Sequence, residues 1–429
     1  MNINELYEIY LKYPSIQTDT RKVKKGDIYF ALKGPNFNGN LFTGKAIENG
    51  AVYCVVDEAI NQNQDQDRII VVQDVLETLQ QLAKKHREQF NIPFIAITGS
   101  NGKTTTKELI HAVLSSTYKT YTTEGNLNNH IGIPLTILKV KQDAEMAVIE
   151  MGANHQKEIE AYCLYSMPTH GLITNCGKAH LEGFGGEEGV RKGKGELFDY
   201  LKQHNGVAFI YRDYDYLTEM SSGITNIISY GSSDSNAELV GQILSDTAYL
   251  NVSIIKGASI ENIDTHLVGG YNLPNILAAV CIGKVFNITD EKIKSALESY
   301  LPSNSRSQLI HKDSNTIILD AYNANPSSMK LAVENFAKMQ GQDKVLIIGG
   351  MMELGKSSHL EHLQIVELIK KFDWKEVVLV GNQFSGIEGS YLHFNSSVEA
   401  REWYLSKGYK NIQILLKGSR SMQMEKVLE

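Results

Sequence analysis

Cysteine is scarce in this chain: Cys54, Cys163, Cys176 and Cys281 are the only four in 429 residues, and none stands in a Cys-x-x-Cys pair. That scatter excludes a zinc ribbon and a disulfide frame, and it fits reduced thiols in a cytosolic protein. An excess of cations is also missing. With 42 Lys and Arg against 49 Asp and Glu the formal net charge is −7, which argues against a broad nucleic-acid surface and leaves any anionic ligand to be held locally. No apolar run approaches the ~20 residues that a membrane span requires. The segment Met1–Tyr10 is acidic and carries no signal-peptide core, so the expected location is the cytoplasm. Internal repeats and low-complexity tracts are absent. What remains is globular material, 42% hydrophobic, enough for about two to four domains with separate cores.

Along the chain, Asp27–Leu32, Ala51–Val56 and Ile69–Val72 read as strands, and Val75, Leu76, Leu79, Leu82 and Ala83 recur at helical spacing after an N-capping Asp74. Asn91-Ile-Pro93 breaks that pattern and marks a first boundary. From Phe94 onward strands such as Met146–Ile149, Gly171–Thr174 and Val207–Ile210 alternate with helices, which predicts a largely parallel sheet, with an antiparallel extension over 225–265. Turn formers over Tyr300–Ser305 mark a second boundary. Beyond it, the apolar runs at 316–319, 345–348, 377–380 and 412–416, separated by helical segments such as Leu331–Met339, predict a doubly wound third domain.

The most informative segment is Phe94-Ile-Ala-Ile-Thr-Gly-Ser-Asn-Gly-Lys-Thr-Thr-Thr106, an apolar strand that enters a Gly-Lys-Thr loop and then a helix. Gly99 and Gly102 let backbone N–H groups turn onto an anion, Lys103 can reach outer phosphates, and Thr104 can ligate Mg²⁺. ATP or GTP is the expected ligand. Ile97 stands where a strict Gly-x4-Gly-Lys-[Ser/Thr] loop has its first glycine, so the loop is a shorter variant. Glu150 ends a strand, where ligands gather in open parallel sheets, and a hard carboxylate suits Mg²⁺. His180 follows the next strand. Segment 185–198, dense in Lys and Gly, reads as a solvated, phosphate-attracting loop leading into a helix. The asparagines of Gly125–Asn129 and Tyr271–Asn275 serve equally as ligand contacts or as helix caps.

These pieces, in this order, resemble the Mur ligase family over nearly the whole chain. The resemblance rests on Thr98–Thr106, Gly125-Asn-Leu-Asn-Asn-His-Ile-Gly-Ile-Pro-Leu135, Glu150-Met-Gly-Ala-Asn-His-Gln156, Ala179-His-Leu-Glu-Gly-Phe184, Asp320-Ala-Tyr-Asn-Ala-Asn-Pro326 and Lys417-Gly-Ser-Arg-Ser-Met422. It implies an α/β protein of three domains: a uridine-diphosphate-substrate domain at 1–90, a central parallel-sheet ATPase domain at 91–301 and a Rossmann-like ligase domain at 302–429. By motif position it assigns Thr20, Arg21, Lys33 and Gly34 to the UDP substrate, and Gly99, Ser100, Asn101, Gly102, Lys103, Thr104 and Thr105 to ATP. Asn272 and Asn275 match the adenine side, with Tyr271 where many relatives have histidine, and Arg306 and Asp320 match groups lent by the last domain. Thr104, Glu150, His180 and Lys194 match Mg²⁺ ligands, Lys194 as a carbamate, and Lys103, Lys194 and His180 are the implied catalytic groups. Asn126, Asn128, Asn129, Tyr322, Asn323 and Asn325 are the implied substrate contacts.

Within the family, the Asp320–Pro326 and Lys417–Met422 runs point to the branch that adds D-alanyl-D-alanine to a UDP-N-acetylmuramoyl-tripeptide through an acyl phosphate. The implied partners are those two small molecules, with no nucleic acid, no membrane span and a monomeric chain. A sister ligase that adds a diamino acid would carry an Asp-Asn-Pro-Arg-like run, whereas Asn325-Pro326 is followed by Ser327. A folylpolyglutamate synthase would not need the first domain, and a regulatory GTPase would show an Asn-Lys-x-Asp motif, which is missing.

Overall fold

A computed structural model describes residues 1–58, 66–233, 236–303, 306–341 and 343–429, so Asn304 and Ser305, the end of the turn-former run that marks the second boundary, lie outside the described residues. By contact the chain divides into two units: Met1–Ala96, Tyr118–Ala153 and Lys157–Gly171 in one, and Ile97–Thr117, Asn154–Gln156 and Leu172–Glu429 in the other. Among the described residues no helix is long and apolar enough to cross a membrane.

The chain opens with helix α1 (Ile3–Lys12), whose start is a reciprocal cap: Asn2 Oδ1 accepts the Asn4 and Glu5 N–H groups while Glu5 accepts from Asn2 N–H. Strands β1 (Ile16–Gln17) and β2 (Ile28–Phe30), a hairpin of β3 (Lys33–Gly34) and β4 (Phe37–Asn38), helix α2 (Thr43–Glu48), strands β5 (Tyr53–Val56) and β6 (Ile69–Val71) and helix α3 (Val75–Arg87) follow. The sheet order is β1-β2-β5-β6, all parallel, over a core of Tyr29, Ala46, Cys54 and Val56. Asp74 caps α3 as expected, its carboxylate accepting Glu77 N–H at 2.7 Å. The buried His86 joins α3 to α1 by accepting the Tyr7 hydroxyl at Nδ1, 3.0 Å, and donates from Nε2 to Val140 O at 2.7 Å.

The middle of the chain runs β7 (Phe94–Thr98), α4 (Lys103–Ser115), β8 (Thr120–Thr122), α5 (Gly132–Ile137), β9 (Met146–Glu150), α6 (Glu158–Ser166), β10 (His170–Ile173), α7 (Leu181–Phe184), α8 (Glu187–Gln203), β11 (Val207–Tyr211), α9 (Asp215–Met220), β12 (Asn226–Gly231), β13 (Leu239–Ser245), β14 (Asn251–Lys256), β15 (Ile263–Asp264), α10 (Leu273–Val285) and α11 (Asp290–Ser299). Its strands follow the order β15-β14-β13-β12-β11-β10-β7-β9-β8. β7 and β9 are buried at every position, which is why they read as unbroken apolar runs rather than alternating ones. Two expectations change. β12 pairs parallel with both β11 and β13, so antiparallel pairing starts only at β13 and β14 and not at 225. Segment 185–198 is helical from Glu187 onward: its glycines admit a close neighbour, since a Cβ on Gly189 would lie 1.8 Å from Phe184 O and one on Gly193 2.4 Å from the Phe184 ring.

The last stretch comprises β16 (Gln308–Lys312), β17 (Asn315–Asp320), α12 (Pro326–Lys338), β18 (Lys344–Gly349), α13 (Ser358–Ile369), β19 (Glu376–Val380), β20 (Leu392–Phe394), α14 (Ser397–Lys407) and β21 (Gln413–Lys417). The order is β16-β17-β21-β18-β19-β20, parallel except for the β16/β17 hairpin. One core joins α12 and α13 to the sheet through Val333, Phe336 and Val366, and a second joins α14 through Ala400 and Tyr404. α12 starts five residues before Leu331, because Asn325 caps it and Pro326 occupies the first turn, where a missing N–H costs nothing. The carboxyl ends of β17, β18 and β21 place Asp320, Gly349 and Lys417 on one edge.

Candidate active site

In the second unit the phosphate loop is braced by the turn after β10. Ser100 N–H donates to Asn175 O at 2.8 Å and Ser100 Oγ to Gly177 O at 2.9 Å. Asn101 N–H donates to Asn175 Oδ1 at 3.1 Å, and Asn101 O accepts from Thr174 Oγ1 at 2.6 Å and Asn175 Nδ2 at 3.1 Å. The glycines are required here. Gly99 has φ +143° with Thr174 Oγ1 only 2.0 Å from where a Cβ would sit, and Gly102 has φ +78° with Asn275 Oδ1 at 2.8 Å. Lys103 opens α4 and folds back, donating to Gly99 O at 2.6 Å and Ser100 O at 3.2 Å, so its ammonium lies over the loop. Thr104 is buried and Thr105 half-buried. Asn272 and Asn275 form a relay against α4: Thr106 Oγ1 donates to Asn275 Oδ1, Asn275 Nδ2 to Asn272 Oδ1 and Asn272 Nδ2 to Val268 O, each at 2.9 Å.

His180, in the left-handed region at φ +51°, meets the Glu353 carboxylate through Nδ1, Glu353 itself standing at φ +62°. That imidazole holds the Glu353 carboxyl below the usual carboxylate range. Lys178 Nζ meets Glu361 on α13 at 2.7 Å. Lys194 on α8 is 1% exposed, its ammonium 4.9 Å from the centre of the Phe184 ring. Burial pushes the nearby Cys176 thiol up to about 11, which disfavours its thiolate at neutral pH.

At the end of β17, Asp320 accepts Ser307 N–H at 3.2 Å and forms a salt bridge with the 2%-exposed Lys417. Arg306 lies over the Tyr322 ring at 3.5 Å. Tyr271 OH shares a 3.0 Å hydrogen bond with Ser307 Oγ, and burial, then the Asp320 charge, hold its phenol above the usual range. Asn323 Oδ1 turns back onto Ala324 N–H at 2.9 Å, and Asn325 reaches Asn101.

The first unit holds the remaining expected residues. Glu150 is 1% exposed. Its Oε1 accepts from Asn128 Nδ2 at 2.7 Å and its Oε2, though buried, has no hydrogen-bond partner. Asn129 Oδ1 accepts Ile131 and Gly132 N–H just ahead of α5, and Asn126 is exposed. Arg21 grips Asp19 with two hydrogen bonds, 2.9 and 2.8 Å, and this holds the Asp19 carboxyl down at about 2. Thr20 O accepts from Asn49 Nδ2 at 2.8 Å, and Lys33 on the β3–β4 hairpin meets Asp57 at 2.9 Å and Glu58 at 2.8 Å, with Gly34 exposed beside it. Among the described residues no cluster of three or more His, Cys, Asp or Glu could hold a metal alone.

Sequence reasoning missed the bracing by Thr174 and Asn175, the acids Glu353 and Glu361, and the Asp320–Lys417 pair as a unit. Lys417 stands inside a quoted run and Asn175 directly follows the strand Gly171–Thr174, but no spacing links Glu353 to His180 or Glu361 to Lys178.

A model of the Mur ligase middle domain matches residues 97–283, one of the Mur ligase glutamate ligase domain matches 305–420, and one of the Mur ligase family catalytic domain matches 12–87. A relative from Bacillus subtilis (strain 168), called UDP-N-acetylmuramoyl-tripeptide–D-alanyl-D-alanine ligase, is 34% identical over 430 residues, 96% of this chain and 92% of its own. Among solved structures, a crystal structure of MurF from Acinetobacter baumannii superimposes with a TM-score of 0.88 at 30% identity, covering 96% of this chain and 92% of that one. The MurF ligase of Thermotoga maritima in complex with ADP gives 0.86 at 26% identity, covering 97% of each chain.

Proposed function

This chain belongs to the Mur ligase family, and on that premise we propose that it joins D-alanyl-D-alanine to UDP-N-acetylmuramoyl-tripeptide with cleavage of ATP to ADP and phosphate. The observation that carries the reading is the braced phosphate loop Gly99–Thr104, with Lys103 over it, in a chain similar along 96% of its length to a ligase of that name.

A peptide carboxylate is a poor electrophile. Its oxygen attacks the γ-phosphorus of ATP, the bond to the β–γ bridging oxygen breaks, and ADP leaves with that electron pair. The nitrogen of the second substrate attacks the acyl carbon, loses its proton, and phosphate departs. Lys103 supplies the positive charge that strengthens as the transferring phosphoryl group gathers negative charge, and the loop N–H groups fix the phosphates. Mg²⁺, when bound, offsets the remaining charge on the phosphate oxygens. The unpartnered, buried Glu150 Oε2 fits such a hard cation. Magnesium ligation is assigned to Thr104, Glu150 and His180, each by its place in a matching run, and to Lys194, four residues before Phe198. The burial of Lys194 supports a carbamate there, since an ammonium beside a divalent cation is repelled and a carbamate is not. Arg306, Asp320, Asn272 and Asn275 are assigned to the nucleotide, and Thr20, Arg21, Lys33 and Gly34 to the uridine diphosphate. Asn126, Asn128, Asn129, Tyr322 and Asn323 are assigned to the peptide substrates. We place the enzyme, as a monomer, in the cytoplasm, where cysteine thiols outside any disulfide stay reduced.

The deciding assay measures ADP release for each pairing of UDP-muramoyl-peptide and amine. Turnover is expected only with the tripeptide and D-alanyl-D-alanine. Efficient turnover of a UDP-muramoyl-dipeptide with a free diamino acid would overturn the assignment.

A further inference from the structure

Helix α12 is tied to the phosphate loop by its own cap. Asn325 Oδ1 accepts Ser328 N–H at 2.9 Å, while Nδ2 points the other way and donates to Asn101 Oδ1 at 2.8 Å. Asn101 sits between the two glycines of the loop, and its backbone N–H and carbonyl are already held by Thr174 and Asn175. The tether to Asn325 therefore completes the restraint of this one residue, on the side chain that the central stretch leaves open. Two residues further into α12, Ser327 Oγ accepts Lys178 N–H at 2.9 Å, a second stitch between the same turn and the same helix start. Gly177 belongs to this seam too, since a Cβ there would lie 2.8 Å from Ser327 Oγ and 3.4 Å from Asn101 Nδ2.

We propose that Asn325 is a positioning residue for the phosphate loop, so that seating the start of α12 strengthens nucleotide binding and, by reciprocity, nucleotide seats α12. The proposal rests on the ATP reading of the loop and gives Asn325 a role other than direct contact with a peptide substrate. A loop backbone must keep its N–H groups converged before phosphate arrives, because reordering it on binding would subtract from affinity. A hydrogen bond between two neutral amides is enough to shift that balance about fivefold.

The test is calorimetric titration of the full chain with ADP and Mg²⁺. Asn325→Ser keeps an oxygen that caps α12 but is too short to reach Asn101. Its melting temperature without ligand should match the parent, and its Kd for ADP should rise about fivefold, with affinity for the UDP-muramoyl-peptide unchanged. Asn325→Ala, which loses the cap as well, should melt lower and bind ADP equally weakly. Asn101→Ala should weaken ADP binding, and adding Asn325→Ser to it should cause little further loss, because both remove one interaction. Unaltered ADP affinity in Asn325→Ser, or simply additive effects of the two substitutions, would overturn the proposal. A parent protein that fails to bind ADP would instead sink the ATP reading.

Discussion

Single charges decide most at Lys103 and Glu150. Lys103 is the cation over the loop, and Glu150 is a buried carboxylate with one oxygen held by Asn128 and the other unused. Lys103→Ala and Glu150→Gln should each lower kcat about 100-fold or more, because each removes charge stabilisation that is greatest in the transition state, while circular dichroism and melting stay near the parent. Near-normal ADP release in either variant would dismiss that residue from the chemistry. Lys194 poses a different question, since an ammonium beside a divalent cation would be repelled whereas a carbamate would not. Protein supplied with ¹³C-bicarbonate should show a carbamate carbon resonance that vanishes in Lys194→Gln, and removing CO₂ should depress turnover reversibly. A spectrum without that resonance in the active, Mg²⁺-loaded enzyme would refute the modification. The sequence made these residues findable because each lies within a few positions of a glycine run or a strand end. It could not show that Glu150 keeps one unpartnered oxygen while Asn128, 22 positions earlier, takes the other.

Between elements, the Lys178–Glu361 pair shows how burial sets the cost of breaking a contact. Glu361 is 6% exposed in its side chain and Lys178 33%, so deleting the lysine strands a carboxylate away from water, whereas Glu361→Gln leaves a neutral amide that still accepts. Lys178→Ala should therefore destabilise by about 1–3 kcal/mol, the partial exposure of the lysine lowering the usual figure for a buried pair, and Glu361→Gln by clearly less. Urea unfolding of both variants makes the comparison, and equal losses would mean the pair is solvated. The strands and helices themselves were legible in advance, β7 and β9 from apolar runs and α3 from its Asp74 cap. The start of α12 was read late because Asn325-Pro326 resembles a turn until the cap on Ser328 is seen. The 185–198 helix was hidden by glycines whose purpose, room for Phe184, is a packing fact.

Over the whole molecule, neutral histidines that are buried, His86 and His362, or half-buried, His170, should govern acid sensitivity. Burial lowers His170 to about 4, and it also lowers His86 and His362. In the unfolded chain each takes up a proton near pH 6.5. Between the folded and unfolded values the unfolded state binds more protons, so stability is complete above about pH 6.5 and declines as pH falls, by at most about 1.4 kcal/mol per pH unit for each histidine. The Asp19 carboxyl, held at about 2, titrates below this window. Urea midpoints taken from pH 7.5 to 5 should fall accordingly, and His170→Gln should flatten the slope; a level profile would contradict the burial argument. By itself the sequence determined the α/β character, the phosphate loop and the family, because apolar runs, caps and glycine spacing act over a few residues and survive any arrangement of the rest. Only the tertiary structure decided that Asn325 meets Asn101 across 224 positions and Glu361 meets Lys178 across 183. Those contacts depend on the path of the chain through two sheets, and a path of that length leaves no periodicity in the sequence to read.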